Sequence, residues 1–508
     1  MRTKRVAYNT ISRLIQSVVV AVAGLIIPRL VLSHFGSDYY GVITSINQFM
    51  GYIAVLTMGV YSVTQTALYK PLTEKDIYSV SRIIRASEIF MRKIALIFAV
   101  VVVIFAISYP LIVINDFEWS FTFVLVFILG IGPFFQYYLW ISYCAVLEAD
   151  QRGYIVIFAQ ICVLLINTAI VSYMIISGYI IQTVYLMSSF ILIIPSFFIY
   201  FYTRQHYKLI KLIEPDVSAI KQRWDAFAHQ LSIFVRMNMD IIIVTIFLGV
   251  FEVSVYAVYF FVLKNISIIV ASFISPGVTA AFGNMLARNE EKNVRDSLRF
   301  YEFIVNSLAT LLYTCAALLI VQFVSVYTAG VYDVNYYRPI FAYLVCISQF
   351  SQILRKPYES VVYAAGCFKQ TRNGAIVEAL VQVVISLSLV YFLGLVGVAI
   401  GALCAAIFRT VQYAFYVSQN IVVRSVWIAI KKFFLSIVTA VIIIVSTRYL
   451  PEMTDISYSA WILHALPVFG IAVGVTLLVA VIFYREETIM LIKGLLKIVN
   501  NKASVKTP

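Results

Sequence analysis

The stretches HFGSDYYGVIT (34–44) and FLGVFEVSVYAVYF (247–260) decide the fold, because they read as two copies of one passage. Gly36 of the first aligns with Gly249 of the second, and each leads into a long apolar segment. At the same offset Thr66 of QTALYKPLTEKD (65–76) meets Thr279 of VTAAFGNMLARNEE (278–291), Ala67 meets Ala280, and Tyr69 meets Phe282. Further along, LEADQRGYIV (147–156) and CFKQTRNGAIV (367–377) occupy equivalent places, with Gly153 opposite Gly374 at a slightly longer offset. The chain therefore contains an internal repeat.

Working outward from the repeat, the surroundings are those of a membrane. The 508 residues are 62% hydrophobic and only 12% charged, against about 25% charged in soluble domains. Apolar runs of about 20 residues, each enough to cross the hydrocarbon core, recur along the whole length. Fourteen spans are expected, near 11–33, 41–66, 93–115, 120–144, 154–177, 181–203, 228–250, 254–282, 303–327, 339–363, 375–393, 395–420, 433–450 and 461–484. The opening MRTKRVAYNTISRLIQ lacks a small-residue cleavage site, and its apolar run is too long for a signal peptide, so it reads as a retained first span. The two copies of the repeat start six spans apart and so share one orientation. That pattern predicts an all-α polytopic protein of two pseudo-symmetric six-helix bundles plus two C-terminal helices. The boundaries fall at 1–203 for the first bundle, 204–227 for a linker, 228–420 for the second bundle, and 421–508 for the extra helices and a basic tail.

Charge sets the orientation. All but six of the 38 Lys and Arg lie on or beside one face, the exceptions being Arg29, Arg236, Lys264, Arg338, Arg409 and Arg448. Positive charge is retained inside, which puts both termini in the cytoplasm. The net charge of +14 is then a topology signal with some attraction to anionic lipid, and needs no nucleic-acid partner. The outward loops are short, leaving no external domain for a soluble active site. The six cysteines form neither a disulfide framework nor a metal cluster, and the four histidines are scattered. No enzymatic activity and no cofactor is expected.

The informative residues are ionisable side chains at membrane depth, which cost about 2.5–3.5 kcal/mol each at the bilayer centre on insertion scales. In FVRMNMDIII (234–243), Arg236 and Asp240 lie one helical turn apart, about 12 and 18 Å from the inner face at 1.5 Å per residue. Lys264 and Arg409 fall near the middle of their spans. Arg355, Lys356 and Glu359 surround Pro357, a kink point, while Glu378 and Arg13 open spans. Internal pairing of Arg236 with Asp240, and snorkelling of Arg13, Lys356 and Glu378, would account for several of these without any ligand. The sum is still positive: Arg236, Lys264, Arg355 and Arg409 outnumber Asp240 and Glu359. Such an excess suits an anionic ligand in a low-dielectric cleft. Asp240, Glu359 and Glu378 are then charge partners or sites of H+ or Na+ coupling. Tyr256 and Tyr259 are candidates to stack on a sugar, or simply to pack.

Three blocks carry a resemblance. IPRLVLSHFGSDYYGVITSINQFMGYIAVLTMGVYSVTQTALYKPLTEKD (27–76), VYAVYFFVLKNISIIVASFISPGVTAAFGNML (255–286) and the run from LRKPYES (354–360) to IFRT (407–410) resemble Wzx-type polysaccharide flippases of the MOP exporter superfamily. The resemblance implies a MATE-like fold in the bacterial cytoplasmic membrane, working by alternating access through a cationic cleft. It implies transfer of undecaprenyl-diphosphate-linked repeat units for O-antigen or capsule assembly, alongside a polysaccharide polymerase. Arg355, Glu378 and Arg409 match the family pattern. Lys264 departs from it, as does Cys367, which stands where His is expected. A lipid II-type flippase and a MATE-like multidrug exporter remain as alternatives, the exporter disfavoured by the sign of the deep charge. A membrane glycan polymerase or acyltransferase is the distant one.

Overall fold

The computed structural model describes residues 2–113, 117–210, 213–220, 238–273, 276–451, 453 and 455–493. Every regular element among them is helical: α1 (Arg2–His34), α2 (Ser37–Glu74), α3 (Ile77–Ile112), α4 (Trp119–Phe135), α5 (Ile141–Ala149), α6 (Gly153–Ile176) and α7 (Ile181–Tyr207) come first. There follow α8 (Asn238–Leu248), α9 (Val250–Phe273), α10 (Pro276–Ala287), α11 (Glu291–Tyr327), α12 (Pro339–Leu354) and α13 (Lys356–Ala364). The chain closes with α14 (Phe368–Leu393), α15 (Leu395–Asn420), α16 (Trp427–Thr447) and α17 (Tyr458–Phe483). One π-helical turn, Gln136–Trp140, joins α4 to α5.

Eleven of these segments are long and apolar enough to cross a membrane. Three of the fourteen expected spans are not among them. The span near 41–66 lies in α2, several of whose side chains are outside the described residues. Only the last part of the span near 228–250 is described. The span near 339–363 is two helices, broken at Arg355.

The helices show why lipid is the solvent. On α3, Met91, Ala95, Phe98, Val102, Ala106 and Tyr109 form a buried stripe, while Leu96, Val100, Ile104 and Leu111 on the other side are exposed. Both faces are apolar, so one packs on protein and the other needs hydrocarbon. Helix ends are set by local chemistry. Asp76 caps α3 by accepting the Ser79 N–H at 3.0 Å; the Ser79 hydroxyl first, and then this N–H, hold its carboxyl below the usual range. Gly36 and Gly249, the two repeat glycines, both adopt left-handed φ angles, +107° and +84°, immediately before α2 and α9. Only a residue without Cβ does this cheaply.

The chain forms two compact units, residues 1–257 with 330–334, and residues 258–329 with 335–508. In the first unit α1 packs on α6, α3 on α4, and α7 on α4 and α6. Its segment 330–334 is fastened by Asp333, whose carboxylate accepts from the Ser37 N–H and hydroxyl, both at 2.6 Å. In the second unit α14 and α15 form the tightest pair, and α16 and α17 lie on α11. The repeat is visible in the elements themselves. The starts of α2 and α9 are separated by the same offset as Gly36 and Gly249, and the starts of α7 and α15 by nearly the same one.

Candidate functional site

The site begins with the break between α12 and α13. Pro357, in the first turn of α13, has no N–H to continue α12, and the Arg355 carbonyl restarts the ladder by accepting from the Glu359 N–H at 3.0 Å. This directs Arg355 into the packed side of the unit, where it is 3% exposed. Its Nη1 donates to Glu378 Oε1 of α14 at 2.7 Å.

Arg409 arrives on the same carboxylate from α15, its Nε 3.5 Å from Glu378 Oε2. Further donors go to the Thr371 carbonyl at 3.0 Å and the Tyr413 hydroxyl at 2.8 Å, and the guanidinium lies 4.1 Å over the Tyr413 ring. Gln412 accepts a fourth bond. Gly374 makes room for that amide: a Cβ there would stand 1.9 Å from the Gln412 side chain. Beside this group Glu359 accepts from Lys356 Nζ at 2.7 Å and from the Tyr363 hydroxyl at 2.9 Å. Three cations thus meet two carboxylates, and the excess is one positive charge. Arg355 Nε is buried and makes no hydrogen bond among the described residues. Two planar forks around one carboxylate can hold a bidentate oxyanion.

The remaining candidates are not part of this cluster. Lys264 is exposed on α9, and Arg13 is exposed on α1 of the first unit. Asp240 accepts from the Tyr256 hydroxyl at 3.1 Å. Arg236 lies outside the described residues, so its pairing with Asp240 does too. Tyr256 and Tyr259 are buried. Tyr259 donates to the Tyr336 carbonyl at 2.7 Å and meets Phe341 edge-on. Both rings are committed to packing, not to stacking on a sugar.

Three buried carboxylates escaped the sequence reading, Glu302, Glu88 and Glu487, the last accepting from Arg299 Nε at 2.6 Å. Glu302 on α11 is fully buried and binds Arg424 through both oxygens. Lys432 of α16 donates to it at 2.7 Å and to the Arg299 carbonyl at 3.2 Å. Burial works against the Arg424 charge, yet bonding to Glu302 raises its pKa overall. Glu88 on α3, 3% exposed, receives Arg85 at 3.1 Å, Arg92, and the Tyr143 hydroxyl at 3.3 Å. Arg204, near the end of α7, stands 4.0 Å away. Glu88 and Glu302 match across the repeat to within one position, as do Arg85 and Arg299. The shared Arg-x-x-Glu spacing, read at the repeat offset, would have found the pair.

Eleven apolar helices among the described residues and the internal repeat describe a multi-pass, all-helical membrane protein, whose fold is shared by solved transporter and flippase structures. Structurally it is similar to the lipid II flippase MurJ in an inward closed conformation, with a TM-score of 0.69 at 12% identity over 95% of this chain and 99% of that one. An inward-facing multidrug resistance MATE transporter of the MOP superfamily gives 0.57 at 12% identity, over 81% of this chain and 98% of that one. A MOP superfamily transporter from Pyrococcus furiosus Vc1, described as having a binding pocket of reverse polarity, gives 0.58 at 13% identity over 82% and 96%. No protein-family model and no curated protein matches the sequence.

Proposed function

We propose that the protein is a flippase moving an undecaprenyl-diphosphate-linked oligosaccharide across the bacterial cytoplasmic membrane for cell-surface polysaccharide assembly, with both termini inside. The observation that carries this reading is the pair of buried guanidiniums, Arg355 and Arg409, sharing the single carboxylate of Glu378. An excess of fork-shaped cations in a low-dielectric setting favours a diphosphate over a cationic drug. Glu378 occupies the place a diphosphate oxygen would take, so cargo competes with it for the two arginines. Lys264, exposed on α9, supplies a further point charge for an anionic headgroup.

A second reading, lipid II as the cargo, is favoured by the extent of the structural likeness, which takes in 95% of this chain. The two readings share the lipid diphosphate and differ in the glycan.

The test is leaflet transfer in liposomes. A fluorescent undecaprenyl-diphosphate oligosaccharide is followed by access to an external quencher, with lipid II as the comparison cargo. Wild type is expected to transfer one of them, and Arg355→Gln and Arg409→Gln to lower the rate at least tenfold. Transfer undiminished in both variants, or efflux of cationic dyes with no lipid transfer, would reject the reading.

A further inference from the structure

A partly open pocket of about 440 Å³ lies in the first unit, among α1, α2, α4, the π-helical turn, α6 and α7. Its polar lining comes from Gln16, Asn47, Gln136, Gln160, Tyr185, Ser188, Ser189 and Ser196, none of the residues around it is charged, and of these Ser189 is committed to the Ile128 carbonyl at 2.8 Å. Gln16 Nε2 donates to Gln160 Oε1 at 2.7 Å, which leaves the other half of each amide unused. The side chains of Asn47, Gln136, Ser188 and Ser196 make no hydrogen bond among the described residues; Ser188 and Ser196 are only 8% and 2% exposed, while Asn47 and Gln136 are exposed at the mouth.

The backbone around the cavity is irregular where it faces these groups. Gln136 and Trp140 belong to the π-helical turn, a departure from α geometry that is frequent at functional sites. Pro133 and Pro195 also line the cavity, and each removes one intrahelical N–H. The buried Ser188 and Ser196 hydroxyls are costly unless something hydrogen-bonds to them, and the exposed amides of Asn47 and Gln136 stand open to a ligand.

We infer that this cavity is a binding site for an uncharged, polyhydroxylated ligand, namely a neutral sugar residue. Amides and hydroxyls offer donors and acceptors together, which matches sugar hydroxyl and acetamido groups. A charged group would find no counter-ion there. The volume falls within the range of about 300–1,000 Å³ usual for small-ligand sites. Trp140 adds an aromatic wall for the apolar face of a pyranose ring. The inference rests on the flippase reading for its biological meaning, assigning a sugar of the cargo to the first unit. A correspondence in the repeat supports this division: Trp140 and Arg355 stand at nearly equivalent positions of the two copies. The two occupy matching interruptions, the π turn before α5 and the break before α13, so one unit carries amides where the other carries ions.

The experiment uses the full chain in lipid nanodiscs, with N,N′-diacetylchitobiose as the neutral probe and glucuronate as the charged one. Binding is read by saturation-transfer NMR and by quenching of tryptophan fluorescence, the latter compared with Trp140→Phe. Saturable binding of the neutral disaccharide alone is expected, weakened at least tenfold in Gln136→Leu and Ser188→Val and unchanged in Arg409→Gln. Should Gln136→Leu fail to fold, Ser188→Val and Ser196→Ala decide the matter. Absence of neutral-sugar binding, or binding indifferent to these variants, would overturn the proposal and leave a water-filled void. Loss of lipid transfer in Arg409→Gln with sugar binding intact separates this site from the flippase reading, and failure of transfer in wild type with sugar binding present rejects only the latter.

Discussion

Glu378 is one residue on which two others depend. Converting it to Gln leaves Arg355 and Arg409 facing each other at 3% and 4% exposure with no shared carboxylate. Breaking a buried ion pair from one side costs about 3–5 kcal/mol, so Glu378→Gln is expected to lower the melting temperature in detergent markedly. A variant that melts like wild type would show the cluster to be open to water. Arg409→Lys keeps the charge but cannot donate at once to the Thr371 carbonyl, Gln412 and Tyr413. It is expected to reduce lipid transfer with little loss of stability, since the fork and not the charge is removed. Arg355, Glu378 and Arg409 were legible in the sequence because an ion in an apolar run is conspicuous. Their mutual pairing was not, since it joins three helices with no fixed spacing between them. The amides of Gln16, Asn47 and Gln136 gave no signal at all, because neutral polar residues are tolerated throughout membrane helices.

At the scale of elements, close packing of α14 on α15 depends on small residues. A Cβ on Gly401 would stand 2.2 Å from the Ser386 hydroxyl and 2.9 Å from the Gln382 carbonyl, and one on Gly397 would stand 2.5 Å from the Leu389 carbonyl. These are mostly backbone neighbours that cannot turn aside, so Gly401→Val is expected to push the helices apart and abolish the Arg409–Glu378 contact. Loss of stability and of transfer together, in the purified protein, is the readout. The start of α3 carries a pH signature. Asp76 has its pKa lowered in the folded protein, so its contribution is complete above the ordinary Asp value and disappears as pH falls through the lowered one. Hydrogen exchange of the Ser79 amide, corrected for intrinsic rate, is expected to lose protection below about pH 4, and a protection factor flat from pH 6 to 3 would contradict the cap. The break at Pro357 was readable from proline chemistry. The π turn at Gln136–Trp140 was not, since nothing in QYYLW forbids an ordinary helix.

For the molecule as a whole, the repeat predicts independence of parts. Glu88 and Glu302 play the same role in separate compact units and share no partner. The destabilisations caused by Glu88→Gln and Glu302→Gln are therefore expected to add, within about 0.5 kcal/mol, in the double variant. A large deviation would mean that the two carboxylate clusters are energetically coupled. The all-helical class and the doubling of the chain could be read from hydropathy and from Gly36 and Gly249. The anchoring of the last two helices could not, because Lys432 and Arg424 look like ordinary inner-face cations until Glu302 is seen beneath them.

That anchoring bears on how the protein is made. Glu88 has Arg85 and Arg92 on its own helix and is neutralised as soon as α3 forms. Glu302 waits for Arg424 and Lys432, which follow it by 122 and 130 residues. At roughly 5–20 residues per second, the ribosome takes on the order of 6–25 s to deliver them. During that interval a carboxylate destined for full burial stays protonated, hydrated or held by the insertion machinery. The first half can settle as it emerges, whereas the second half cannot close until the penultimate helix is in place.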